Sequence, residues 1–271
     1  MRAKTAALLE ICKSVLSEYE GQITVRQLYY RLVAAQAIPN VFREYKNLCA
    51  SLTHWRKQGL LDAAAFCDLT REPVVPSTWS DLSDFLETVA RSYRRDPWQN
   101  QGRRPEVWLE KEALATVFEP VCRQYGVVLQ VCRGYPSVSC LVEAAKRTEH
   151  ILYFGDFDPS GQDIPRCVAD ELRNTWGAEV GLDRIALTSE QIAEYRLPPA
   201  PAKPTDSRTP RFVAEHGSDT VELDALPPDV LRDLIREAIE EQITDPAAWG
   251  EAKAEQGRET ARLQALVESA R

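Results

Sequence analysis

From residue 4 to residue 58, apolar positions recur every three to four residues, the period of helices that bury one face. Ala7, Leu8, Ile11, Val15 and Leu16 line one side of a segment over 4–19, which Gly21 ends. Val25, Leu28, Tyr29, Leu32 and Val33 do the same over 25–35, with Thr24 placed to cap the helix. Tyr45, Leu48, Leu52 and Trp55 mark a third helix over about 43–58, stopped at Gly59. LLDAAAFCDL then reads as short extended segments. Three helices followed by a small strand pair are the plan of a winged helix. A polar helical stretch near 80–95 follows. RRDPWQNQGRRP (94–105) has loop composition and marks a boundary.

Beyond it the period alternates. PEVWLE, VVLQVCRG, HILYFGD and DRIALT read as strands, separated by the helical patterns KEALATVFEPVCRQYG, SVSCLVEAAKR and GQDIPRCVADELRNTW. Strand–helix alternation of this kind predicts an α/β, Rossmann-like parallel sheet. Residues 196–210 are Pro-rich and predict a loop. Helical period returns from about 227, with Val230, Leu231, Leu234, Ile235 and Ile239 as the apolar stripe. The expected organisation is a winged-helix domain over 1–75, a linker over 76–104, an α/β domain over 105–245 and a C-terminal helical tail over 246–271. That tail can pack on its own chain or form a dimer contact.

Composition excludes several classes. The chain has 271 residues, 44% hydrophobic and 27% charged, which is ordinary for a globular protein. It holds no run of about 18 apolar residues, so no transmembrane helix is expected. The first twenty residues form no signal-peptide core, and a cytoplasmic location is expected. Seven scattered cysteines form no CxxC pair, and His54, His150 and His216 lie at no ligand-like spacing, which argues against zinc. The net charge of −8 argues against a protein that coats nucleic acid generally. Charge is uneven, however: residues 1–60 carry nine Lys/Arg against four Glu, a balance of +5, while the remainder is acidic. A basic N-terminal module suggests contact with a polyanion such as DNA.

Helical spacing separates two adjacent tyrosines. Tyr29 lies on the apolar stripe, whereas Tyr30 shares the neighbouring face with Arg26, one turn earlier. A phenol beside a guanidinium is a candidate nucleophile, because a nearby cation favours the phenolate and binds phosphate. An amphipathic tyrosine at a domain interface is the alternative. On the third helix, Arg43, Lys46, Asn47, Thr53, His54 and Lys57 fall off the apolar stripe and could meet DNA phosphates and base edges, or simply form a solvated face. Asp156 and Asp158 stand two apart at the end of an apolar strand, so their side chains share one side. Glu110 ends an earlier strand. Ligands of parallel sheets gather at the carboxyl ends of strands, and three carboxylates there make a hard oxygen site suited to Mg²⁺. Alternatively, Asp158 makes a turn, and Glu110 caps or pairs with Lys111.

In combination these segments resemble the A subunit of type IIB DNA topoisomerases (topoisomerase VI) and the related meiotic double-strand-break protein. TVRQLYYRL resembles that family's winged-helix motif, and VWLEKEAL its first Toprim motif. RGYPSVS is similar to the loop after the second Toprim strand, FGDFDPSGQDI to the DxD motif, and VELDALPPDVLRDLIREAI to the C-terminal piece. They span about residues 20–245 in the family's order.

The resemblance implies a winged helix joined to a Toprim domain. It also implies Mg²⁺-dependent cleavage of DNA, with Tyr30 becoming a 5′-phosphotyrosine, Arg26 stabilising the phosphorane charge, and Glu110, Asp156 and Asp158 holding the metal. In that family the tyrosine of one protomer works with the metal of the other, so a homodimer is expected. The chain begins almost at the first motif and holds no GxxxxGK[ST] sequence, so any ATPase is expected on a separate subunit. Two rivals stand beside this reading: a Toprim nuclease that hydrolyses DNA with metal-activated water, and a non-catalytic DNA-binding dimer that needs a partner.

Overall fold

The computed structural model describes residues 3–19, 21–62, 65–66, 77–202 and 206–269. The three N-terminal helices form where the apolar period places them: α1 (Ala3–Ser17), α2 (Val25–Ala34) and α3 (Phe42–Lys57). Thr24 caps α2 in a reciprocal box: its hydroxyl accepts from Gln27 N at 3.1 Å, and Gln27 Oε1 accepts from Thr24 N at 2.8 Å. Leu48, Leu52 and Trp55 bury one face of α3 as the spacing requires. Half of the expected strand pair over 60–69 lies outside the described residues. What is described is a single parallel bridge between Ile23 and Phe66.

Next come α4 (Leu82–Ser92) and a 3-10 turn, Pro97–Asn100. This turn departs from the loose linker that its polarity suggests. Trp98 is 3% exposed, and its indole donates to Tyr125 O at 2.7 Å. Burying one large aromatic ring outweighs the polar composition around it.

The second half is the expected parallel sheet. Strands β1 (Pro105–Leu109), β2 (Val128–Val131), β3 (His150–Phe154) and β4 (Gly181–Ala186) stand in the order β2-β1-β3-β4, all parallel. Helices α5 (Ala115–Tyr125), α6 (Val138–Arg147) and α7 (Pro159–Asn174) connect them. β1 and β3 are central and buried on both faces, which explains their unbroken apolar runs. Trp108, Ile151 and Tyr153 face α6 and α7, where they meet Leu141, Ile164 and Val168. Val107, Leu109, Leu152 and Phe154 belong to the larger core, which also holds Phe118 of α5 and Leu28 and Leu52 of the N-terminal helices. The N-terminal helices thus share one continuous apolar core with the sheet.

The Pro-rich stretch and its surroundings carry short elements that the periodicity does not announce: α8 (Ser189–Glu194), a two-stranded pair of β5 (Ala200–Pro201) and β6 (Asp219–Thr220), and α9 (Thr209–His216). Then α10 (Pro228–Glu240) covers the sheet beside α5, and α11 (Pro246–Ser269) lies against α4. The tail therefore packs in cis: Trp249 meets Trp98 edge to face at 4.9 Å, and Arg95 pairs with Glu259 at 3.0 Å. No helix among the described residues is long and apolar enough to cross a membrane.

Candidate active site

The carboxyl ends of the two central strands open into a cavity of about 720 Å³. Glu110 follows β1 and its amide still donates to Phe154 O at 2.9 Å, which holds it level with the end of β3. Asp156 and Asp158 leave β3 and turn into α7. Asp158 caps that helix, with Oδ1 accepting from Gly161 N at 2.6 Å. Arg26 and Tyr30 of α2 form another wall of the same cavity, and Glu222 and Asp224 a third.

The last pair arrives by backbone pairing. Phe157 and Val221 form an antiparallel bridge, with N–O distances of 2.8 and 3.0 Å. This sets D-F-D (156–158) alongside V-E-L-D (221–224). Leu223 N then donates to Asp156 Oδ1 at 2.7 Å. The two acidic pairs need cations between them. Lys111 supplies one: Nζ lies 2.7 Å from Glu222 Oε2, 2.7 Å from Asp224 Oδ2 and 3.1 Å from Asp156 Oδ1. The ammonium donates to Glu222 and Asp224, and Asp156 completes the ion cluster. Arg26 supplies the other. It binds Glu222 with two nitrogens, Nε at 2.7 Å and Nη2 closer still, and its Nε comes within 4.0 Å of Asp224.

Burial and crowding shift the titration of these groups. Burial pushes Asp156 up to about 7 even though Lys111 pulls it down. Glu110 is also raised, first by burial and then by the charge of Asp158, and the Asp156 amide and the Tyr153 hydroxyl partly offset this by donating to its Oε2 at 3.0 and 3.2 Å. Glu222 moves the other way. Despite burial, Lys111 and Arg26 hold it at about 2, so it is ionised. Lys111 is held above the usual ammonium range: burial opposes its charge, but Asp224, Asp156 and Glu222 outweigh that cost.

The loop that carries the acidic pair is braced from behind. Arg184 donates to Asp156 O and Gly161 O, each at 2.6 Å, and to Leu187 O at 3.0 Å. Gly161 is required by close approach, since a Cβ there would lie 2.1 Å from Asp156 O. A Cβ on Gly155 would meet Glu110 Oε2 at 2.5 Å.

Five residues picked out from the sequence thus line one cavity: Arg26, Tyr30, Glu110, Asp156 and Asp158. Two details differ from expectation. Tyr30 is only 6% exposed, because α2 packs its second face against the 223–225 turn. Its phenol is raised rather than lowered, since burial and the charge of Glu222 outweigh Arg26. Arg26 is paired with Glu222, and its pull toward a phenolate does not prevail. Arg43, Lys46, Asn47, His54 and Lys57 are exposed on α3 and do not line the cavity. Lys46 sits over the Phe42 ring at 4.9 Å, and Asn47 donates to Glu44 at 3.3 Å.

Sequence reasoning missed Lys111, Glu222 and Asp224 as members of the site. One signal was present: E-L-D repeats the two-residue spacing of D-F-D, with the same consequence for facing. What it lacked was any sign that the two segments lie side by side.

The resemblance implies Mg²⁺ on Glu110, Asp156 and Asp158. Among the described residues, no three His, Cys, Asp or Glu side chains gather as a ready-made ligand set. The donor chemistry nevertheless fits a hard ion that keeps most of its waters. Protein donors engage Glu110 Oε2, Asp156 Oδ1 and Asp158 Oδ1. The other oxygen of each carboxylate accepts no hydrogen bond from the described residues. In comparisons with known proteins, no family model matches the chain, and no curated protein is detectably similar to it.

Proposed function

We propose that this chain cleaves DNA by transesterification at Tyr30, as A-subunit-type topoisomerases do, with Glu110, Asp156 and Asp158 holding Mg²⁺. The observation that carries the reading is that a tyrosine and an arginine of the basic N-terminal helices share a cavity with three strand-end carboxylates. The phenolic oxygen forms a new bond to a DNA phosphorus, and the bond from phosphorus to the 3′-oxygen breaks. The 3′-oxygen takes a proton, and the phenol releases its own to solvent. Arg26 stabilises negative charge on the transferring phosphoryl group. Bound Mg²⁺ would polarise a phosphoryl oxygen and stabilise the leaving oxyanion. The exposed cations of α3 bind the DNA backbone and fix its register. Two copies, each cutting one strand, would give a double-strand break, and any ATP-driven strand passage would draw on a separate ATPase subunit.

A second reading, hydrolysis by metal-activated water, is favoured by the burial of Tyr30 and its protonated phenol. One experiment separates the two. Supercoiled plasmid is incubated with the protein and Mg²⁺, quenched with SDS, and run with and without protease. Transesterification leaves DNA whose 5′ ends are freed only by protease. Cut DNA with free ends would establish hydrolysis instead, and intact plasmid would sink both.

A further inference from the structure

Glu110 and Lys111 are neighbours in the chain, yet they serve different parts of the cavity. The backbone at Lys111 is extended, with φ −102° and ψ 114°, and successive side chains of an extended segment point apart. Glu110 meets the Tyr153 hydroxyl and the Asp156 amide. Lys111 meets Glu222 and Asp224, 2.7 Å from an oxygen of each. Asp156 stands between the two parts. Its Oδ1 lies 3.1 Å from Lys111 Nζ and accepts from Leu223 N, which leaves Oδ2 for the Glu110 and Asp158 side.

A carboxylate shared by two cations is what a two-metal site requires, with the ions about 3.5–4 Å apart. Asp156 is placed to be shared, but the cation on its Oδ1 is an ammonium. The oxygens around that ammonium, from Asp156, Glu222 and Asp224, are hard donors of the kind a divalent ion takes. The position is also built for positive charge. Asp224 is 1% exposed, and its Oδ1 is buried with no hydrogen-bond partner among the described residues. A buried carboxylate in that state is stable only beside a cation. An ammonium tethered to the chain provides that charge at every metal concentration.

We propose that Lys111 is a fixed second cation: its ammonium takes the position that a second divalent ion would hold between Asp156 and the Glu222–Asp224 pair, so that the chain binds one divalent ion, on Glu110, Asp156 and Asp158. The proposal rests on the Mg²⁺ reading above, and counting ions separates the two without a cleavage assay. Mn²⁺, followed by the electron paramagnetic resonance of the free ion, is titrated into wild-type, Lys111→Met and Asp156→Asn protein. Ions that Asp156→Asn still binds lie elsewhere and are subtracted. Wild type should then take up one ion per chain and Lys111→Met two. Two ions on wild type, or only one on Lys111→Met, would overturn the proposal and leave the Mg²⁺ reading standing. No ion on wild type would overturn both.

Melting gives a second readout. An ion that replaces the ammonium stabilises the folded variant by mass action, so saturating Mn²⁺ should raise the melting temperature of Lys111→Met by about 5 °C more than that of wild type. Equal shifts in the two proteins would refute the proposal. The same measurement covers a variant too unstable to titrate: Lys111→Met that shows no cooperative melt in metal-free buffer should gain one when Mn²⁺ is added, and failure to do so would refute the proposal as well.

Discussion

Lys111→Met is the sharpest probe of how the cavity is held together. The substitution keeps most of the stem's volume and removes the ammonium. Three carboxylates within 3.1 Å of Nζ lose their common partner, and one of them, Asp224, is fully buried. Removing one member of a buried ionic cluster costs about 3–5 kcal/mol. For a chain of this size that lowers the melting temperature by roughly 10 °C. The loss should depend on pH in a defined direction. Burial already raises Asp156 to about 7 in the wild type, and without Lys111 it rises further. Between the ordinary carboxylate range and that value, the folded state holds a proton that the unfolded chain has released. Stability of the variant therefore falls as pH rises from about 5 to about 8, and acidification restores it. Urea unfolding followed by tryptophan fluorescence at the two pH values measures both effects. A deficit below about 1 kcal/mol at the higher pH, set against that range, would refute the reasoning. So would an equal deficit at both pH values.

Three further substitutions test other parts of the site. Tyr30→Phe should abolish protein-linked DNA without changing DNA affinity, whereas Tyr29→Phe loses bonds to Asn40 at 3.1 Å and Val41 O at 3.3 Å and should cost about 1 kcal/mol with the adduct intact; thermal melts and SDS gels on both variants check this. Gly161→Ala should destabilise by about 1–3 kcal/mol, because its Cβ would meet the backbone oxygen of Asp156 at 2.1 Å, and cleavage should fall with it as the acidic loop moves. Asp158→Ser keeps a helix cap and should melt within about 0.5 kcal/mol of wild type while losing Mg²⁺-dependent cleavage; if it cleaves normally, Asp158 serves only α7.

The expected uses of Asp158 illustrate how far single residues can be read from a chain. The sequence offered a turn in D-P-S-G and a ligand role in D-F-D, and the structure adds a helix cap, with Oδ1 accepting from Gly161 N at 2.6 Å. A ligand role is compatible with the cap, because Oδ1 serves the helix while the side chain also lines the cavity. Trp98 shows the reverse. Its neighbours RRDP and QNQG predict a loose linker, yet its ring is buried against Trp249, a partner far along the chain. Tyr30 lies between these cases. Its separation from Tyr29 on the helix was legible, but the sequence carried no sign that a second surface would cover it and reverse the shift of its phenol.

Facing along one element is a local property, written in the periods of 3.6 and 2. For that reason the three N-terminal helices, the four parallel strands and the common side shared by Asp156 and Asp158 followed from residue order alone. Charge compensation is not local. Lys111, Glu222, Asp224 and Arg26 come from three separate stretches of chain, and their charges are balanced only because the others are within reach. Their meeting was decided by one antiparallel bridge between Phe157 and Val221 and by the packing of α2 on the adjacent turn, contacts that exist only once the apolar core has closed around them.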